Sequence, residues 1–466
     1  MKNTGKQRRS DTVLFTLTIV LFAALVFLTA SLLLLFNRSA SAGDIPFDLD
    51  RLTSDDSAGN RAEVADAILP EFIGITEDGK RYGISVSSAV MSDLYGELSA
   101  VISETVTYNN ARASDEAYWL SCIDRDDSVY IRYHSELPDV VVGMLADMHT
   151  GVSGARDRVA AYIYEMFIIP SPDGSGISKI ATKSASGDVT VYQLEGASNG
   201  LMDADLVKYL RSYTSSMRKF VFAHGEYDTM SATEPVFAES VTTRNILTTD
   251  GTTFLIKNTS SAINQLMRVF GLNPNKLLST HEDSKGTLSY TDRSGVMYIH
   301  KSALEYRASE EGGIDVEDII GYTDSMGISE YITAVYGLID NIGAIESHCT
   351  GGSADLCLVE ISSKGGKVQM KFEYFYDNII VLGPEPALTV TFESGKLTAA
   401  RLYTVTIKNV GSRYETFGEW WFFDHLKRDG TVAQNVSLAY RSDYIAESVS
   451  AEWRAVAKGT TARYGR

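Results

Sequence analysis

From Val13 to Phe36 the chain reads VLFTLTIVLFAALVFLTASLLLLF, 24 residues without a charge. At about 1.5 Å per residue, a helix of this length crosses the ~30 Å hydrocarbon core of a bilayer with little to spare. The apolar stretch of a secretory leader is shorter, roughly 7–15 residues. A buried core helix would keep polar residues on some face. Ala40-Ser41-Ala42 does carry the small-x-small pattern of a leader cleavage site. The length of the run nevertheless favours an anchor, and the mature chain is expected to keep residues 1–42. Lys2, Lys6, Arg8 and Arg9 precede the run, whereas Arg38, Asp44, Asp48 and Asp50 follow it. That asymmetry puts the N-terminus in the cytoplasm and everything after Phe36 outside, a single-pass protein of the cell membrane. Within the span Thr16, Ala23 and Ala30 recur every seven residues. They either form a seam where a second membrane helix approaches closely or simply face lipid.

The charge narrows the partners. Asp and Glu number 60 against 42 Lys and Arg, a formal net charge of -18 over 466 residues. Because the short tail before Val13 is basic, the exported part is more acidic still. Such a body is repelled by nucleic acid and by anionic surfaces, which leaves neutral surfaces, basic patches and other proteins. A hydrophobic content of 44% with 25 tyrosines marks a folded body, not a disordered stalk. The exported length suffices for two or three domains with their own cores.

Pattern shifts divide the chain into a cytoplasmic tail (1–12), the membrane span (13–36) and a polar tether (37–62). An N-terminal α+β domain (63–240), a middle α+β domain (241–345) and a β-rich C-terminal domain (346–466) follow. FIGITEDGKRYGIS reads as a hairpin about Asp78-Gly79. A helix then starts at Ser87 or Ser88 and places Val90, Leu94, Leu98, Val101 and Ile102 on one face. AYWLSCI, SVYIRY, RVAAYIYEMFIIP, SKIATKS and DVTVYQL read as strands, with Cys122 a core strand residue. A second helix is expected from Asp203 to Met217. In the middle segment, strands near Val241–Leu247 and Thr253–Ile256 lead to a helix carrying Ile263, Leu266, Met267 and Phe270. Three antiparallel strands and a helix with Ile332, Val335, Tyr336, Ile339 and Ile342 come next. From Leu356 the chain is a run of strands, interrupted by a helix at FGEWWFFDHLKR. Helices set between antiparallel hairpins, without a βαβ rhythm, give an α+β body of antiparallel sheets with packed helices.

Catalytic signals are missing. There is no Gly-x-Ser-x-Gly, no His-Glu-x-x-His and no phosphate-cradling glycine loop, and the seven histidines are scattered. DRDDSV, Asp124 to Val129, reads as a solvated turn, and HGEYD, His224 to Asp228, as a polar loop. No catalytic, metal or cofactor residue is therefore assigned, and the chain is read as a non-enzyme. Cys349 and Cys357 bracket TGGSADL; they form either a disulfide or two buried thiols. Trp420, Trp421, Phe422 and Phe423 sit 100° apart on a helix, so some must bury while one or two face outward; core packing is the favoured reading of the cluster and a partner surface the alternative.

One stretch is more specific. QLMRVFGLNPNKLLSTHEDSKGTLSYTDRSGVMYIHKSALEYRA, Gln265 to Ala308, resembles the YycH family of Gram-positive extracytoplasmic regulators in its order of short helix, acidic turn, YTD, strand and LEY. VQMKFEYFYDNIIVLGPEPALTVTFESGKLTAARLYTV looks similar to the sheet shared by YycH and its companion YycI, and the layout of tail, single span and exported body agrees. The resemblance implies a non-enzymatic role: modulating a sensor histidine kinase of the WalK (YycG) type in cell-wall control. Its implied partners are that kinase, a YycI-like companion and the membrane helix. The competing reading is a membrane-tethered envelope binding module or hydrolase acting on a cell-wall fragment, with its site around Asp124 to His134.

Overall fold

The computed structural model describes residues 70–86, 88–108, 111–150, 161–171, 177–193, 210, 212–224, 232–237, 239–250, 260–321, 326–345, 349–416, 418–430, 433–444, 447–457 and 460–463. The apolar run with Thr16, Ala23 and Ala30, the tail, the tether and the strand expected at 253–256 lie outside these residues. Among the described residues no helix is long and apolar enough to cross a membrane. Of the helix expected from Asp203 to Met217, the describable end is a 3-10 turn, Ser212–Ser216.

The N-terminal part is built on antiparallel strands: β1 (Pro70–Glu77), β2 (Lys80–Ile84), β3 (Ala111–Ser114), β4 (Asp127–Pro138), β5 (Tyr162–Pro170), β6 (Ile177–Lys183), β7 (Val189–Gln193), β8 (Arg218–Phe222) and β9 (Pro235–Phe237). Among the described residues they run in the order β3-β7-β6-β5-β4-β1-β2-β8-β9. Period-2 alternation gives this sheet two apolar faces. Ile73, Val129, Ile131, Met166 and Ile168 pack toward helices α1 (Ser88–Tyr108) and α3 (Asp139–Thr150). Their chain neighbours Phe72, Tyr130 and Phe167 point the other way, into an aromatic cluster with Trp119, Phe220, Phe222 and Phe237. The facing glycines Gly74 and Gly83 make that cluster possible. A Cβ on Gly74 would stand 2.8 Å from both Phe220 and Phe72.

One local expectation fails here and one helix appears where none was expected, each for a physical reason. AYWLSCI is a helix, α2 (Glu116–Ile123), not a strand, because Asp115 caps it: its carboxylate accepts the Tyr118 N–H at 2.9 Å. Trp119, Cys122 and Ile123 then fall on one buried stripe, so Cys122 is a core residue on a helix. The unexpected helix is α3. Its valines at 140–142 favour a strand by propensity, but Val141, Val142, Leu145 and Ala146 form a helical stripe that packs on α1.

The remaining strands interleave across the chain. Val241–Asp250 pairs with Val405–Thr416 and Glu447–Val449, while Thr350–Gly352 runs parallel to Val405–Ile407. In the largest sheet, the meander of Ser279–Glu282, Leu288–Thr291, Gly295–Ile299 and Ala303–Ala308 joins Lys396–Tyr403, with Glu305 opposite Arg401. It continues through Leu388–Glu393, Lys367–Tyr376, Ile379–Leu382, Ala433–Arg441, Ala451–Ala457 and Thr460–Arg463. Segments 241–345 and 346–466 thus share both of these sheets. Helices α4 (Ser260–Val269), α5 (Val316–Ile320) and α6 (Ile328–Ile345) bury their apolar stripes in the same continuous core as α1 and α3. Helix α7 (Glu419–Arg428) packs Phe422, Phe423 and Leu426 against Val236, Val436 and Ala455.

Candidate functional site

At one end of β4 the aromatic face turns polar. By alternation, Arg132 lies on the same face as Tyr130 and opposite Glu165 of β5. Its guanidinium donates to Glu71 Oε2 of β1 at 3.0 Å and to Glu234 Oε2, just before β9, at 2.8 Å. The Arg132 side chain is only 5% exposed, and those of Glu71 and Glu234 are 8% and 2% exposed. Burial alone would lower Arg132, but Glu234 and Glu71 outweigh it and hold the cation well above its usual range. Burial pushes the Glu234 carboxyl up, against the pull of Arg132. Glu165 is likewise pushed up by burial while accepting from Tyr130 Oη at 3.0 Å and Thr233 Oγ1 at 2.8 Å.

The C-terminal half closes over this cluster. Asn378, in the turn after Lys367–Tyr376, stands in the left-handed region at φ 63°. Its amide Nδ2 donates to the carbonyls of Pro70 at 3.0 Å and Ser85 at 3.2 Å. With Nδ2 so engaged, Oδ1 faces His134, 3.3 Å from Nε2, so the imidazole is the Nε2–H tautomer and donates. Burial lowers His134 to about 4, and the ring is neutral at pH 7. Glu419, at the start of α7, accepts the Phe237 N–H at 2.8 Å. Burial pushes its carboxyl up to about 8, opposed by that N–H and by Arg218, whose guanidinium stacks on the Phe237 ring at 3.8 Å. Glu234 adds a longer contact, accepting from Val436 N at 3.4 Å.

These groups surround a cavity of about 30 Å³, lined among others by Glu71, Arg132, His134, Asn378, Glu419 and Trp453. It has room for about two waters, far less than the several hundred Å³ of a typical small-molecule pocket. Chemically the cluster is an ionic and hydrogen-bonded clamp joining β1, β4, β5 and β9 to the C-terminal half. Its charges are directed at one another.

The residues singled out from sequence fall as follows. Asp124 to His134 does not converge: Arg125 and Asp127 form a half-exposed pair at 3.0 Å at the start of β4, while His134 lies half-buried farther along the strand. Among the described residues no cluster of three His, Cys, Asp or Glu is placed to hold a metal. Cys349 and Cys357 are thiols, not a disulfide. Cys349 packs in the main core, whereas Cys357 joins Phe375, Ile380 and Ala439 in a separate small cluster. Trp420 is 47% exposed, Trp421 lies against the His425 ring at 3.8 Å, and Phe422 and Phe423 are buried. Sequence reasoning missed Arg132, Glu71, Glu234, Glu419 and Asn378. The available signal was an arginine at an inward position of the otherwise apolar strand VYIRYH.

The described fold is thus an α+β body of antiparallel sheets and packed helices, locked by a buried polar clamp. Among solved structures it is similar to the crystal structure of YycH from Bacillus subtilis, with a TM-score of 0.53 over 85% of this chain and 96% of that one, at 14% identity. The chain has a YycH-like fold. A crystal structure of an uncharacterized protein from Eubacterium rectale is more distant, with a TM-score of 0.31 at 9% identity over 52% of this chain and 92% of that one. No family model and no curated protein matches the sequence.

Proposed function

We propose that this chain is a membrane-anchored extracytoplasmic regulator that modulates a sensor histidine kinase of the WalK type. One observation carries the reading: the YycH-like fold extends over 85% of the chain, including N-terminal parts where the sequence resemblance rested on layout alone. The long uncharged run from Val13 to Phe36 supports the anchor, with the body outside the cell and a YycI-like companion beside it. A regulator of this kind shifts a kinase between two states, so it must contact them with different energies. The membrane helix can supply such contacts through Thr16, Ala23 and Ala30. Nothing in the clamp favours the envelope hydrolase or wall-binding alternative, because its cavity is too small for a wall fragment.

The test replaces Val13–Phe36 with an unrelated membrane helix of equal length and reads kinase-dependent transcription. The expected outcome is normal surface exposure with weakened kinase control, and loss of the kinase from site-specific crosslinks in native membranes. Unchanged control together with no crosslink to any kinase would reject the proposal.

A further inference from the structure

The four-stranded sheet carries a feature that the clamp and the kinase reading do not use. Val241–Asp250 and Val405–Thr416 form a two-stranded ribbon whose outer strand is exposed at every position from Lys408 to Glu415. Thr350–Gly352 covers this strand only at Val405–Ile407. Among the described residues no strand pairs with the outer edge beyond that point, so its backbone N–H and C=O groups remain open to another strand. On one face of the ribbon Arg244 stands directly opposite Arg413, and Lys408 opposite Leu247. Like charges directly opposed destabilise a sheet. Among the described residues none of these three cations has a carboxylate within 4.0 Å. The one acid on that face, Glu415, accepts from Ser240 Oγ. The other face carries Tyr414, opposite Thr243, and the bulge at 410–412 exposes Val410. Tyr414, Val410, Leu247 and Trp420, four residues beyond the strand, make up half of the large exposed hydrophobic side chains among the described residues.

We propose that the edge from Lys408 to Glu415 takes an extended acidic segment of another polypeptide as an added strand. The pleat fixes what such a segment looks like. Its side chains on the face of Arg244, Arg413 and Lys408 must be carboxylates, alternating on either side of the bulge at 410–412 and out of step by one where the segment passes it. Those between them face Tyr414 and must be apolar. A basic patch on a chain of net charge -18 also gives an acidic partner a defined landing point. An anionic membrane is a poorer occupant, because the rest of the body repels it and a lipid surface offers no backbone groups to the open edge. The proposal does not rest on the kinase reading.

The test uses the full chain in nanodiscs of neutral lipid, with a fluorescent ten-residue peptide of alternating Glu and Val as probe. A second peptide holds the same residues in two blocks. Fluorescence anisotropy should show the alternating peptide binding about tenfold tighter than the block peptide, and weakening as salt is raised. The double substitution Arg244→Ala/Arg413→Ala should cost about tenfold in affinity. It should not lower the melting temperature, since it removes a like-charge pair. Lys364→Ala, an exposed change elsewhere, should leave binding unaltered. No binding of either peptide, or equal binding of both, would overturn the proposal. So would an equal effect of the double substitution on binding to phosphatidylglycerol vesicles, which would mark a generic anionic surface contact.

Discussion

Arg132→Met is the sharpest test of the buried clamp. The substitution keeps roughly the volume but removes the guanidinium bonded to two carboxylates whose side chains are 8% and 2% exposed. Breaking a buried ion pair by removing one partner costs about 3–5 kcal/mol at neutral pH. The Glu234 carboxyl, already pushed up by burial in the parent, loses the pull of Arg132 and rises further, so the folded variant holds its proton to higher pH. A folded-state pKa above the unfolded value gives stability that is present at low pH and is lost as pH rises, by about 1.4 kcal/mol per proton for each pH unit. The deficit relative to the parent should therefore be smaller at pH 5, where a protonated Glu234 needs no cation, and about 3–5 kcal/mol at pH 7. Urea unfolding of both proteins at pH 5, 6 and 7, followed by circular dichroism, measures it. Adding Glu234→Gln to Arg132→Met should recover part of the loss and flatten its pH dependence. A deficit equal at pH 5 and pH 7, or below about 1 kcal/mol at pH 7, would refute the claim that paired buried charge holds this junction.

Asn378→Ala should cost about 2–4 kcal/mol, since it strands the Pro70 and Ser85 carbonyls and strains a left-handed position; Asn378→Gly should recover only the backbone part, and melting curves separate the two. Glu419, near 8, and Glu373, which sits on Lys367–Tyr376, accepts the Ala387 N–H and is pushed up by burial to about 7, lie above the unfolded carboxyl value, so they favour folding at low pH and lose that contribution between about pH 4.5 and 8. His134, near 4, works oppositely and loses its contribution as pH falls from about 6.5 to 4. The melting temperature should therefore fall from about pH 5 to pH 8, with Glu419→Gln reducing the fall; a melting temperature that rises from pH 6 to 8 would contradict this. Thiol titration of denatured, unreduced protein should count three thiols, and two fewer would show that Cys349 and Cys357 are bonded in solution.

Much of the described fold follows from short-range pattern. The Asp78-Gly79 turn, with both residues at positive φ, dictates the β1–β2 hairpin. Leu94, Leu98, Val101 and Ile102 place α1 on the core, and Ile332, Val335 and Ile339 do the same for α6. Trp420 out and Phe423 in follow from the 100° step of a helix. Where local signals conflicted, context decided. AYWLSCI has the aromatic and β-branched content of a strand, yet the Asp115 cap and the aromatic cluster that takes in Trp119 make it helical.

The sequence by itself determined the uncharged run from Val13 to Phe36, the acidic balance, the α+β class and most element positions, because these depend on neighbours within a few residues. Tertiary structure alone decided which strands meet: Glu305 opposite Arg401, or Arg244 opposite Arg413, across 96 and 169 residues of chain. It also decided the clamp. Arg132 reaches Glu234 across 102 residues, and His134 reaches Asn378 across 244. A buried charge is stable only beside its partners, and nothing in the alternation of β4 says which distant carboxylate will be folded against it.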